Sequence, residues 1–374
     1  SCAPLQAEGL KMRVNGISLH SFRNYGDETT DFSGGVNIIC GENAAGKTNI
    51  LEAIFYYAAG KSFRNCKDRE LIRFGCDSAE TEMLFDTPAG QKKMSVSYTK
   101  LGKRAIRLGQ SPALKTREFM GLFRAVVFTP DHLSLVKGAP ETRRRFLDLA
   151  ICQSFPRYAP TVQEYNRILL QKNALLKTAC AGGELLDIYN ERLSLLAAVI
   201  TVNRAKYVSR LIPAANGFLS EMSREREELT AVYRSQCGVC GGNQEEVKNA
   251  YRKLFSAHMA DEREKGFCVC GVQKDDVSFY INGKSIRLYG SQGQQRSAVL
   301  AMKLAEGELS ASLTGDHPVY LLDDILSELD NGRREFILSM LSGRQVIITG
   351  CGGEVYDIAG ANRICVSDGK ILPR

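Results

Sequence analysis

The stretch "VNIICGENAAGKTNILEAIFYYAAG" (Val36–Gly60) passes from a short apolar run through small and glycine residues into a helical pattern. Its centre, "GENAAGKT" (Gly41–Thr48), fits the P-loop pattern G-x4-G-K-[ST]. "VNIIC" reads as a buried strand, and Ile50, Leu51, Ile54, Phe55 and Ala58 keep helical spacing up to a stop at Gly60. A strand before such a loop and a helix after it are the context that makes it a phosphate cradle. Gly41 and Gly46 let backbone N–H groups wrap phosphates, Lys47 reaches the β- and γ-phosphates, and the Thr48 hydroxyl suits Mg²⁺.

A partner motif lies far downstream. "PVYLLDD" (Pro318–Asp324) is an apolar strand ending in two acids, and "RQVIITG" (Arg344–Gly350) reads as a second buried parallel strand beyond a helix. Asp323 then stands at the sheet edge to hold Mg²⁺, and Asp324 is placed to polarise an attacking water. A third element, "YGSQGQQRSAVLAMKLAEGEL" (Tyr289–Leu309), is a Gly-containing turn leading into a helix, a second anion-site geometry in one chain.

The remaining pattern frames these motifs. "RVNGISLHSF" alternates from Arg13, "AETEMLFDT", "KKMSVSYTK" and "KRAIRLG" (79–109) read as strands and turns, and "RAVVFT" (124–129) as a buried strand. Leu186, Tyr189, Leu193, Leu196 and Ile200 share one helix face. "AGG" (Ala181–Gly183) separates them from a helix carrying Val162, Tyr165, Ile168, Leu169 and Leu176. Strand character returns at "FCVCG", "VSFYING" and "SIRLYG" (267–290). The expected architecture is an α/β lobe built from both chain ends, residues 12–139 and 261–374, with a helical lobe at 140–260 inserted. Residues 1–11 lack periodicity and are expected to be a tail.

Together these features resemble the ATP-binding-cassette superfamily, in the branch that contains SMC heads. "HSFRNY", "GENAAGKTNILEAIFYYAAGKSFR", "TPDHLSLVKGAPETRRRFLD", "DDVSFYING", "SQGQQRSAVLAMKLAE" and "LLDDILSELD" occur in the order of the RecF family of recombination-mediator ATPases. The resemblance implies ATP and Mg²⁺ as cofactors and an ATP-dependent homodimer. It implies a signature turn (Ser291, Gly293, Gln294, with Gln294 and Gln295 opening the helix) that meets the ATP of the opposite copy. It also implies a D-loop ending at Asp330 in "SELD". Arg23, Asn24, Glu42, Asn43, Ala44, Ala45 and Asn49 would lie around the nucleotide, with Lys47, Asp323 and Asp324 catalytic. Slow, DNA-dependent hydrolysis would act as a switch, with DNA, RecR, RecO and RecA as partners in repair, replication and the SOS response. Three departures stand out: "GVQKDD" (Gly271–Asp276) for the usual "GPHRDD", His132 in "PDHL" for an acid, and Gly350 near the superfamily's switch histidine. A transporter ATPase subunit, another SMC-like ATPase or a small-molecule kinase would share the P-loop. The transporter reading leaves the basic β region without a purpose, and the kinase reading needs no Ser291.

Composition agrees with a globular, cytoplasmic chain. Among 374 residues 44% are hydrophobic and 24% charged, the net charge is +7, and no apolar run is long enough for a membrane span. Nine Lys or Arg residues face one acid, Glu118, between Gln91 and Arg124. Lys92, Lys93, Lys100, Lys103, Arg104 and Arg107 form the first candidate DNA surface, suited to sequence-independent phosphate contacts. "TRRRFLD" (142–148) is the second, although Arg143–Arg145 cannot share one helix face. Of the twelve cysteines, Cys237/Cys240 and Cys268/Cys270 are spaced closely. Nothing in the spacing forces the two pairs into one zinc site, so reduced, unliganded thiols are expected.

Overall fold

A computed structural model describes residues 11–178, 183–223, 226–350 and 358–373. The chain divides into two compact units, one of residues up to Pro130 and from Ser310 on, the other of Asp131–Leu309. The first is therefore built from both chain ends, as its sequence pattern predicts. Its parallel sheet contains β3 (Val36–Cys40), β7 (Ala125–Phe128), β11 (Val319–Asp323), β12 (Val346–Gly350) and β13 (Asn362–Ser367), with β14 (Lys370–Ile371) antiparallel at one edge. The order is β14-β13-β3-β12-β11-β7. Every residue of β7, β11 and β12 is buried, which explains their unbroken apolar runs. Helix α1 (Lys47–Ala59) is buried nearly all round and packs against β7, β11 and β12, so it runs through the core.

This topology positions the site. β3 and β11 flank β12, and all three end at the same edge: Cys40 pairs with Gly350, and Asp323 with Thr349. Ligands of open α/β sheets sit in such a crevice beyond the carboxyl ends of the strands. The same unit carries an antiparallel sheet in the order β2-β1-β4-β5-β6. Its strands are β1 (Arg13–His20), β2 (Asp27–Asp31), β4 (Ser78–Thr87), β5 (Gly90–Thr99) and β6 (Arg104–Leu108). Met94, Val96 and Tyr98 of β5 are buried while the residues between them reach solvent, the alternation of a sheet covered on one face.

The second unit is mostly helical: α3 (Ser134–Lys137), α4 (Pro140–Ser154), α5 (Tyr158–Leu176), α6 (Gly183–Ser223), α7 (Gln244–Ala257), α8 (Met259–Lys265), α9 (Ile286–Tyr289) and α10 (Gln292–Thr314). The short α2 (Thr116–Phe119) and α11 (Asn331–Met340) belong to the first unit, and the end of α10 reaches into it. α5 and α6 pack on each other, and their Tyr165, Ile168, Leu176, Leu186, Leu193, Leu196 and Ile200 are all buried. Of the predicted break, Ala181 and Gly182 lie outside the described residues, and Gly183 opens α6.

Three local expectations change. The unit boundaries fall at 130/131 and 309/310 rather than near 140 and 260. The physical reason is β8 (Leu229–Arg234), which pairs along its whole length with β9 (Asp276–Ile281), itself paired with β10 (Lys284–Ser285). That sheet ties the segment after 260 to the helices. "FCVCG" is not a strand, because Cys268 and Cys270 turn into the core beside α5 and α8. "SIRLYG" keeps one strand residue, Ser285, and then becomes α9, with its apolar Ile286 buried and Leu288 and Tyr289 exposed.

Candidate active site

The P-loop has the conformation that its glycines allow. Gly41 has φ 157°, and a Cβ there would lie 2.2 Å from the Val366 carbonyl oxygen. Gly46 has φ 116°, and its Cβ would meet Asn24 and Tyr25 within 2.8 Å. Either substitution forces the loop off its support. Between them Glu42, Asn43 and Ala44 are exposed at the crest, whereas Ala45, Gly46 and Lys47 are buried. The Lys47 ammonium donates to the carbonyls of Gly41 and Glu42, each at 2.7 Å. It thus lies folded across the cradle where phosphate oxygens would replace those carbonyls.

The second motif comes to the same place. Thr48 Oγ1 donates to Asp323 Oδ1 at 2.7 Å across 275 residues of sequence. Thr349 Oγ1 donates to the same oxygen at 2.9 Å and accepts the Asp324 N–H at 3.0 Å. Burial pushes the Asp323 carboxyl up from its ordinary value, and the two hydroxyl donors oppose that. The cluster offers hydroxyl and carboxylate oxygens, the hard donor set that Mg²⁺ takes alongside phosphate. Asp324 has φ 51°, a left-handed backbone rare outside glycine, asparagine and aspartate. Ser327 Oγ donates to its main-chain oxygen at 2.7 Å and to Oδ1 at 3.1 Å.

Other predicted residues brace the loop from beneath. Asn24 Nδ2 donates to the Ala45 carbonyl at 2.9 Å, its Oδ1 accepts from Asn49, and Tyr25 OH donates to the Gly46 carbonyl at 3.0 Å. Arg23 grips Glu52 of α1 through two hydrogen bonds of 2.7 and 2.8 Å. The Glu52 carboxylate, fully buried, also takes a hydrogen bond from Ser62 and an ion pair from Arg64 at 3.5 Å. Tyr25, Glu52, Arg64 and Thr349 escaped sequence reasoning. An acid inside the apolar α1 run was the available signal for Glu52.

In the second unit Ser291 begins α10 with a reciprocal cap. Its Oγ accepts the Gln294 N–H at 3.1 Å, and Gln294 Oε1 accepts the Ser291 N–H at 3.0 Å. This is a capping box in the form S-x-x-Q. The helix consequently starts at Gln292, two residues before the predicted Gln294. Gln295 is buried and ties the turn to the carbonyls of Ile286 and Gly290. Asp330 is likewise a helix cap: its Oδ1 accepts the Arg333 N–H at 3.0 Å, and that donor holds its carboxyl below the usual range.

With this geometry in view, the comparisons with known proteins are consistent among themselves. The RecF/RecN/SMC N terminal domain family matches residues 13–366. The DNA replication and repair protein RecF of Desulfitobacterium hafniense is 38% identical over 366 residues, covering 96% of this chain and 99% of that protein. Its counterpart in Clostridium beijerinckii is 36% identical over 364 residues, 96% and 98% of the two chains. The chain belongs to the RecF family. Solved structures of the recombination mediator protein RecF in the RecFOR pathway, one with ATP and one with ATPrS, share 32% identity. They superpose with TM-scores of 0.92 and 0.90 and cover 99% and 96% of this chain, and 99% and 98% of theirs. An Smc head domain from Pyrococcus furiosus, 16% identical with TM-score 0.56 over 96% of each chain, shares the fold. This RecF-family chain is accordingly an ABC/SMC-type ATPase head in architecture.

The departures from the RecF pattern find physical explanations. Gln273, standing where the family has histidine, donates to the Cys270 carbonyl at 2.6 Å and accepts from the Tyr165 hydroxyl. Gln273 thus has both ends of its amide engaged. Asp275 is fully buried and accepts from Tyr233 OH at 2.6 Å, the Gln236 N–H at 2.8 Å, Tyr251 OH and Thr201 Oγ1. Asp276 takes two hydrogen bonds from Arg143, at 2.7 and 2.9 Å, and Arg144 donates to the Asp275 carbonyl at 2.8 Å. Two arginines of "TRRRFLD", Arg143 and Arg144, are thus engaged within the protein. Burial pushes the His132 imidazole well below its ordinary value, so it is neutral near pH 7. Of the turn after Gly350, residues 351–357 lie outside the described residues.

The cysteine pairs occupy separate surroundings. Cys240 Sγ donates to the Tyr233 carbonyl at 3.2 Å, and Cys237 Sγ lies 3.1 Å from Ser235 Oγ. Cys268 and Cys270 are buried beside the Lys172–Glu262 ion pair of 2.6 Å. No cluster of three or more His, Cys, Asp or Glu residues among the described ones could hold a metal ion.

The basic β region is less uniform than its sequence. Lys93 pairs with Glu82 at 2.6 Å and Lys100 with Asp77 at 2.8 Å. Arg104 turns inward, donating to Tyr56 OH at 3.0 Å and to the Gly60 carbonyl, with Asp68 3.7 Å away. Neighbouring strands and turns supply the acids that the run itself lacks. Among the described residues Lys92, Lys103 and Arg107 pair with no carboxylate.

Proposed function

We propose that this chain binds ATP with Mg²⁺, associates as a homodimer around two nucleotides, and holds DNA without reading its sequence. Slow hydrolysis then releases the DNA, in support of RecA loading at gaps with RecR and RecO. The observation that carries the reading is the convergence of Lys47, Thr48 and Asp323 on one crevice, with Thr48 and Asp323 2.7 Å apart. The RecF–ATP structure of a protein 32% identical supports the choice of nucleotide.

The chain's own residues divide the work. The Gly41–Thr48 backbone and Lys47 hold and orient the phosphates, and Thr48 and Asp323 would hold the cation. That ion, when bound, neutralises charge on the phosphate oxygens. Asp324 takes a proton from the attacking water. Its side chain is one methylene shorter than the glutamate common elsewhere in the superfamily, which suits a timer.

The signature turn supports association between copies. Ser291 is exposed, and just before it Leu288 and Tyr289 are 72% and 73% exposed. Two large apolar side chains beside a polar anion turn fit a surface that a second copy covers. Ser291→Arg is expected to abolish ATP-driven association in size measurements while nucleotide binding persists. Association that survives the substitution counts against the sandwich.

The DNA reading rests on Lys92, Lys103 and Arg107. Each phosphate contact contributes about 0.9 to the slope of log affinity against log salt. Lys103→Glu combined with Arg107→Glu should make that slope shallower by about 2. The assay compares gapped and blunt duplexes with and without a non-hydrolysable ATP analogue. An unchanged slope places DNA on another surface, and binding indifferent to the analogue refutes the switch.

A further inference from the structure

Cys40 and Cys365 are separated by 325 positions in sequence, yet their sulfurs lie 3.2 Å apart. They face each other in register on the adjacent parallel strands β3 and β13. Neighbouring strands run about 4.8 Å apart, inside the Cα separation that a disulfide accepts. Cys365 is exposed and Cys40 half-buried, so an oxidant in solution reaches the pair through Cys365. We propose that Cys40 and Cys365 form a reversible redox-modification site that controls the phosphate cradle.

The coupling to the cradle is direct. Cys40 immediately precedes Gly41, whose α-carbon is pressed against the Val366 carbonyl. Just beyond β13, the Gly369 N–H donates to the Ala45 carbonyl at 3.0 Å. The β13–β14 ribbon therefore supports the loop at its first glycine and at the buried Ala45. Joining the two sulfurs draws the end of β3 against that ribbon and shifts Gly41, the first glycine of the cradle.

The chemistry balances with a hydroperoxide as oxidant. The Cys365 thiolate attacks a peroxide oxygen, giving a sulfenic acid and hydroxide. The Cys40 sulfur then attacks Cys365 sulfur, forming the S–S bond and expelling the sulfenic oxygen as water once protons are counted. Two thiols and one hydrogen peroxide thus give one disulfide and two waters. Burial, with the neighbouring Cys365 thiol, pushes the Cys40 thiol up to about 11. Cys40 is accordingly protonated at neutral pH and acts as the resolving partner rather than the first nucleophile.

The nucleotide consequence rests on the function proposed above, whereas the bond itself does not. The whole chain is treated with hydrogen peroxide, digested without reductant and mapped by mass spectrometry. In parallel, affinity for a fluorescent ATP analogue is measured before oxidation, after it, and after dithiothreitol. A Cys40–Cys365 linked peptide is expected, with affinity falling about tenfold and returning on reduction. Cys365→Ser should bind the analogue as the reduced wild type does and ignore peroxide. Absence of the linked peptide, or equal loss of affinity in Cys365→Ser, overturns the site. A linked peptide with unchanged affinity overturns the control of the cradle. Reduced protein that binds no analogue defeats the proposed function, and the linked peptide still reports on the thiols.

Discussion

Asp324→Asn should lower ATP turnover at least about a hundredfold and leave nucleotide binding near the wild-type level. The substitution removes the only property that a base needs, an acceptor for the water proton, and keeps nearly the same shape. Backbone strain does not confuse the result: the residue has φ 51°, and asparagine tolerates that region at least as well as aspartate. The hydrogen bonds that hold it also survive, since the Asp324 N–H to Thr349 and the Ser327 contact to Oδ1 need no charge. The variant should therefore accumulate the nucleotide-bound, associated form. Single-turnover kinetics beside equilibrium binding of an ATP analogue make the test. Turnover within a few-fold of wild type would assign the proton to another group.

The largest stability effect is expected far from that crevice. Asp275→Ala removes one carboxylate and leaves Tyr233, Tyr251, Thr201 and the Gln236 N–H without their shared acceptor in the interior. Burial already pushes this carboxyl up, so the native state tolerates it only because those donors surround it. Tyr251 keeps Thr201 and Ser235 as partners, but Tyr233 OH and the Gln236 N–H lose theirs, at a cost of about 2–4 kcal/mol. Urea unfolding followed by far-UV circular dichroism should show the loss. Asp275→Asn, which keeps an acceptor oxygen, should lose roughly half as much. Equal stability of all three proteins would mean that the network contributes little.

What was legible in the sequence follows a physical division. The P-loop, the acid-ended strand and the parallel strands were readable because each is a local pattern: glycines where φ is positive, apolar runs where both faces are covered. The α5–α6 pairing was readable for the same reason, its apolar spacing being that of one helix face. Residues that act through distant partners were not. Thr349 looked like the end of a strand, and nothing near it in sequence announces Asp323. Arg104 looked like one more surface cation, because Tyr56 and the Gly60 carbonyl that claim it lie on another element. "SIRLYG" alternated like a strand but had no further strand to pair with beyond Ser285, and its end coiled into α9. Ser291 and Gln294 did carry a local signal, the spacing of a capping box, which the resemblance to a signature turn overshadowed.

The Thr349 hydroxyl has one further implication. It touches the side chain of one acid and the main chain of the next, so it joins them as a rigid lever joins two arms. A cation drawing on Asp323 would therefore be felt at Asp324 through one hydroxyl. Under the proposed mechanism, arming for hydrolysis and loading of the crevice would be a single event, and a Thr349→Val protein would have to perform them separately.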